Sequence, residues 1–183
     1  GYNVGQPSIA RMRNGDWAAI FGNGYNGASG EASLFVVRLS DGTLLRQLGT
    51  GAAGDHGLAT PVVTDWPRAD LLASRVYAGD LLGNLWRFDV SDKDPDSWSV
   101  EPLFTATDAG GSPQPITAKP TIAVHPQIGN TLVVMFGTGS YFRTDDSGDL
   151  QVQSLYGIFD PAAGASGIDR DDRQVAEILA SLA

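Results

Sequence analysis

Trp17-Ala18-Ala19-Ile20-Phe21-Gly22, Arg75-Val76-Tyr77-Ala78-Gly79 and Leu132-Val133-Val134-Met135-Phe136-Gly137 are three short apolar runs, each closed by glycine. The closing glycines stand 57 residues apart from Gly22 to Gly79 and 58 apart from Gly79 to Gly137. Val, Ile and aromatic side chains dominate the runs and turn formers bound them, which marks strands rather than helices. Both alternations are apolar, with Ala18 and Ile20 on one side and Ala19 and Phe21 on the other. Such a strand is expected to lie centrally and to be covered on both faces.

The surroundings of each run repeat as well. A proline-led apolar segment precedes it: Pro7-Ser8-Ile9, Pro61-Val62-Val63 and Pro120-Thr121-Ile122. An aromatic-rich segment follows it: Leu34 to Leu39 before Asp41-Gly42, Asn84 to Asp89, and Ser154 to Asp160. Asn14-Gly15 and Asp41-Gly42 supply residues that accept the positive φ of tight hairpins. The repeats run roughly over 5–50, 58–105 and 117–161. A unit of about four antiparallel strands at this period reads as a propeller blade, longer than the ~40–45 residues of WD40 or ~50 of kelch blades. The fold class is therefore all-β and β-propeller-like, with about three four-stranded antiparallel blades of a larger propeller, since a closed ring takes at least ~4. The last stretch breaks the pattern: Val175, Ile178, Leu179 and Leu182 share one helical face, with Asp171 and Asp172 near the positive end of the dipole. This spacing predicts a short C-terminal helix over about 169–182.

Composition narrows the function classes. The 183 residues carry 12 Lys+Arg against 21 Asp+Glu, a net charge of -9, which disfavours a nucleic-acid or anionic-membrane surface. Glycine (23) and proline (10) are abundant while 42% of the chain is apolar, fitting many short elements joined by turns. No run approaches the roughly 20 apolar residues of a membrane-spanning helix. Cysteine is absent, which excludes disulfides, thiolate metal sites and a cysteine nucleophile. The chain starts at Gly1 without a Met or a signal-peptide pattern, and together with about three blades this leads to the expectation of a fragment of a longer propeller.

Asn14 to Asn26, Val76 to Asp89, Phe136 to Tyr141 and Gln153 to Asp160 together resemble the C-terminal propeller of the PilY/PilC family of type IV pilus tip proteins. The resemblance extends from Gly5 to Asp160. It implies a secreted or surface protein of a Gram-negative bacterium, at the pilus tip or outer membrane. It further implies roles in pilus biogenesis, retraction control, twitching motility and adhesion. Minor pilins or other tip proteins would be the partners, with the surface receptor unspecified. Members of this family often carry a calcium loop just before the Val-Tyr-Ala-Gly-Asp strand, with oxygen ligands at alternate residues of a nine-residue stretch. Aligned back from Val76, that stretch is Trp66 to Ser74, and its alternate residues are Trp66, Arg68, Asp70, Leu72 and Ser74. Calcium takes roughly six to eight hard oxygens. Asp70 brings a carboxylate and Ser74 a hydroxyl, Leu72 offers only its carbonyl, and Arg68 adds positive charge; Asp65 is the remaining acidic candidate. The expectation is a degenerate loop that binds no calcium, and no other cofactor is implied.

Other constellations fare no better. Asp92, Asp94 and Asp96 alternate like the start of an EF-hand loop, but Ser97 stands where glycine is needed and Leu103 where the closing glutamate would be. Asp145, Asp146 and Asp149 read as an acidic turn. His56 and His125 lie in connectors without a nucleophile partner, and Ser140 lacks the glycine two residues on, Phe142 standing there. Gly22, Gly24 and Gly27 match a dinucleotide fingerprint by count, but the segment lies between strands instead of opening a helix. Trp17, Trp86, Tyr77, Tyr141 and Phe136 are expected in the inter-blade core, and Trp66 and Trp98 at its edge or as exposed anchors. The reading is a non-enzymatic platform; the alternative is a quinoprotein-like propeller dehydrogenase, for which the sequence places no convergent ligand set.

Overall fold

In the computed structural model, which describes residues 5–27, 30–52, 54, 57–142, 144–162 and 178–179, each glycine-closed run is an inner strand of its own antiparallel sheet. The first sheet is β1 (Ser8–Arg11), β2 (Trp17–Gly22), β3 (Ser33–Arg38) and β4 (Leu44–Gly49), in that spatial order. The second is β5 (Val62–Thr64), β6 (Arg75–Gly79), β7 (Asn84–Asp89) and β8 (Ser99–Thr105). The third is β9 (Thr121–Val124), β10 (Thr131–Gly137), β11 (Ser154–Pro161) and β12 (Ile178–Leu179). Sequential order within every sheet is the up-and-down meander of a propeller blade. Gly15 and Gly42 sit at φ 96° and 74°, as the two hairpins of the first blade require.

The helix expected over 169–182 lies outside the described residues except at Ile178 and Leu179, and these two are a strand. Leu179 pairs with Ser154 and Ile178 with Leu155. The outer edge of β11 carries backbone donors and acceptors that a fourth strand satisfies, and this tertiary pairing overrides an amphipathic helical spacing.

Packing between blades explains the apolar alternation. Val76, Ala78, Trp86 and Phe88 of the second blade join Ile20, Leu34 and Val36 of the first in one core. Tyr77, Leu85 and Leu103 face the other way and join Leu132, Val134, Phe136, Tyr156 and Ile158 of the third. All five residues of β6 are consequently buried. Strands β2 and β10 bury one face only: Trp17 is 56% exposed and Met135 37%. Both-face burial thus holds for the blade flanked on each side, because a blade's second face is covered by its neighbour. Tyr141 is also exposed, since it lies past the end of β10, in the connection to β11. Trp86, Tyr77 and Phe136 are core residues.

Two of the repeated glycines, Gly22 and Gly79, mark where one blade's connector crosses to the next. Leu58 bridges to Gly24 and to Asp80, while the Ile116 amide donates to the Asp80 carbonyl and Ile116 bridges to Gly139. A Cβ on Gly22 would collide with the Leu58 carbonyl and lie 2.6 Å from that of Ala59. On Gly79 it would collide with the Ile116 side chain and lie 2.7 Å from its carbonyl oxygen. At Gly137 there is nothing within 4 Å among the described residues. Gly79→Ala is therefore expected to destabilise the chain by about 1–3 kcal/mol, as overpacking does. Gly137→Ala should stay within about 0.5 kcal/mol of the parent. Urea unfolding of the two variants checks the contrast, and equal losses would refute it.

Candidate functional site

The loop joining β5 to β6 holds the residues singled out as calcium candidates. It turns through Ala69 (φ 52°) and Leu71 (φ 63°), left-handed conformations that are unusual for residues with a Cβ. Carboxylates stabilise that path. Asp65 Oδ2 accepts the Leu71 amide at 2.9 Å, and Asp70 Oδ1 accepts the Leu72 amide at 3.1 Å. Asp70 Oδ2 accepts Arg13 Nη2 at 2.8 Å, across from the β1–β2 hairpin. The Ser74 hydroxyl donates to the Leu72 carbonyl at 3.4 Å, and Ser74 itself is 1% exposed. The Arg13 hydrogen bond, opposed by desolvation and aided by the Leu72 amide, holds the Asp70 pKa below its ordinary 3.8. Its contribution is full above pH 3.8 and is lost as pH falls through the lower folded value.

This donor set does not fit calcium. Both oxygens of Asp70 are already engaged by N–H donors, one of them a guanidinium, and the Leu72 carbonyl already accepts a hydroxyl. Among the described residues no group of three or more His, Asp or Glu side chains is arranged to hold a metal ion.

The remaining sequence candidates resolve into local structure. Asp92 Oδ1 accepts the Asp94 amide at 2.8 Å, and Asp94 in turn accepts that of Asp96 at 3.0 Å, capping a short 3₁₀ turn. Asp96 pairs with Arg46 of the first blade. Asp146 accepts the Ser140 hydroxyl at 2.8 Å and the Phe142 amide at 2.7 Å, and Asp149 accepts the Gln151 amide. His125 Nδ1 accepts the Gln127 and Ile128 amides, shaping a turn; His56 lies outside the described residues. Within the glycine fingerprint, Asn23 Oδ1 accepts from Ser33 and Leu58 and its Nδ2 donates to Glu31, so the segment joins strands. Trp98 is buried in the first core and donates its indole N–H to the Asp92 carbonyl, while Trp66 packs on the second core. Trp17 lines a groove of about 360 Å³ with Leu71 and Leu72.

Two buried carboxylates escaped sequence reading. Asp80, closing the Val-Tyr-Ala-Gly-Asp motif, is fully buried and accepts the Leu82 and Asn84 amides, Asn84 Nδ2 and Trp86 Nε1. Asp160, also fully buried, joins the second and third blades. It accepts Tyr77 Oη at 2.6 Å and Arg75 Nη1 at 3.0 Å, and it pairs with Arg87, which also pairs with Glu101. Burial, then the Asp160 charge, raises the Tyr77 pKa and keeps its hydroxyl a donor. Arginines inside otherwise apolar strands were the available signal; their shared partner, 73 and 85 residues away, was not.

Comparison with known proteins agrees with the blade architecture. Residues 1–173 match the model of the PilY1 beta-propeller domain. The chain belongs to the PilY1 β-propeller family. It is 41% identical over 180 residues to a type IV pilus biogenesis factor PilY1 homolog of Xylella fastidiosa, covering 87% of this chain and 12% of that protein. Identity to the type IV pilus biogenesis factor PilY1 of Pseudomonas aeruginosa is 38% over 184 residues, covering 87% of this chain and 16% of that protein. The crystal structure of the P. aeruginosa PilY1 C-terminal domain superposes with a TM-score of 0.82 at 33% identity, covering 95% of this chain and 39% of that one. The chain thus spans a small part of the length of its PilY1 relatives.

Within this PilY1-type propeller, Asp160 ties the second and third blades together through a buried charge cluster. Asp160→Ala strands Arg75 in a buried site and is expected to cost about 3–5 kcal/mol. Tyr77→Phe removes one hydrogen bond to a charged acceptor and should cost about 1.5–3 kcal/mol. Denaturant titration reads both, and a loss below ~1 kcal/mol for Asp160→Ala would contradict the assignment.

Proposed function

We propose that this chain acts in type IV pilus biogenesis as a rigid, non-enzymatic part of a surface-exposed propeller. Its loops would meet minor pilins or other tip proteins and support adhesion, retraction control and twitching motility. The observation that carries the reading is family membership over residues 1–173, with relatives that are named as pilus biogenesis factors. The geometry supports it. Blades share continuous cores and a buried charge cluster, an arrangement suited to stiffness under load. Ser140 shares the Asp146 carboxylate with the Phe142 amide and His125 accepts two backbone amides, so both side chains serve to shape turns. Its charge of -9 matches a partner with basic patches better than a nucleic acid.

The test is genetic and uses the full-length parent protein. Asp160→Ala, introduced into the chromosomal copy of a piliated host, is expected to reduce surface pili and twitching while the pilin pool remains. Surface pilin shearing and colony expansion measure the outcome. Normal piliation with a protein shown by proteolysis to be misfolded in this propeller would sink the biogenesis role, and loss of attachment alone would confine the role to adhesion.

A further inference from the structure

We propose that the Arg13 guanidinium is the resident cation of the β5–β6 loop, closing it from the neighbouring blade where a metal ion would otherwise close it from within. Each carboxylate that would ligate a metal already accepts a backbone amide, and Asp70 accepts a guanidinium as well. Asp70 divides its oxygens between Arg13 Nη2 at 2.8 Å and the Leu72 amide at 3.1 Å, and Asp65 Oδ2 is held by the Leu71 amide. A divalent ion placed among them would face the Arg13 guanidinium, and Arg68 adds positive charge that also acts on Asp70. Like charges at such range repel strongly where solvent is partly excluded.

Arg13 is not an ordinary surface partner. Its side chain is only 17% exposed, against 34% for Asp70. Its Nε is buried and has no hydrogen-bond partner among the described residues, so the guanidinium has been drawn into the interface at the expense of one donor. A second tie runs beside it: the Ala73 amide donates to the Arg11 carbonyl at 2.8 Å. The hairpin of the first blade therefore grips both the tip and the base of the loop. This grip also accounts for two non-glycine residues in left-handed conformation, Ala69 and Leu71, which persist only where surrounding contacts over-determine them. An ion bound wholly within the loop would order that loop alone. An arginine from the other blade orders the loop and couples two blades, and it does so at any calcium concentration. The inference stands on loop geometry and does not depend on the pilus reading.

Amide hydrogen exchange on the full chain, in millimolar calcium and in millimolar EDTA, tests it. The Leu71 and Leu72 amides are expected to exchange at the same rate in both, and melting temperature should be unchanged. Arg13→Gln should speed exchange of these two amides by about tenfold or more while the β6 amides keep their protection. Arg13→Lys, which restores the charge, should recover part of that protection. Asp70→Asn provides a second route to the same loosening if Arg13→Gln fails to fold. Calcium-dependent protection of Leu71 and Leu72 in the unmodified chain would overturn the proposal, as would unchanged exchange in both Arg13→Gln and Asp70→Asn.

Discussion

A four-stranded blade has two broad faces, and a single blade can cover neither. Everything else in this chain follows from that constraint. Ile20, Leu34 and Val36 have no core until Val76, Ala78 and Phe88 arrive, and Tyr77 has none until Val134 and Ile158 do. The inner strand β6 of the middle blade is accordingly buried along its whole length, whereas β2 and β10 leave Trp17 and Met135 exposed. Gly22 and Gly79 at the ends of β2 and β6 belong to the same logic, because a connector can cross there only if no side chain intervenes.

How much of this was legible follows from the range of each interaction. Strands β2, β6 and β10 were readable because β propensity and bounding glycines are local, and the near-constant spacing of those glycines disclosed the repeat. Strand β12 was not readable, since Ile178 and Leu179 also fit a helical face and only the waiting edge of β11 decides between the two. Trp17 and Tyr141 illustrate the converse: their chemistry fits a core, but burial depends on a neighbouring blade or on lying within the strand.

The candidate site divides the same way. Asp70 and Ser74 follow from the register of a family loop and Asp65 from one residue outside it, and the poverty of that donor set was apparent from residue types alone. Arg13 was invisible because it lies 57 residues from Asp70 and belongs to another repeat. Asp160 likewise looked like a strand-terminating turn residue, and only the facing of β6, β7 and β11 turns it into a shared acceptor for a tyrosine and two arginines. Charges that act across repeats leave no periodic trace in the sequence. They are set by which face of which strand meets the next sheet.

The connectors between blades carry one more consequence. Leu58 forms bridges to both the first and the second blade, and Ile116 is bonded to both the second and the third. A blade cannot lose its inner strand without releasing a connector that its neighbour also uses. In a linear array, stability is the sum of each repeat's own stability and the coupling between nearest neighbours. Here the coupling includes a backbone component as well as side-chain packing. Melting should accordingly be cooperative across adjacent blades, with the flanked middle blade bound to the fate of both.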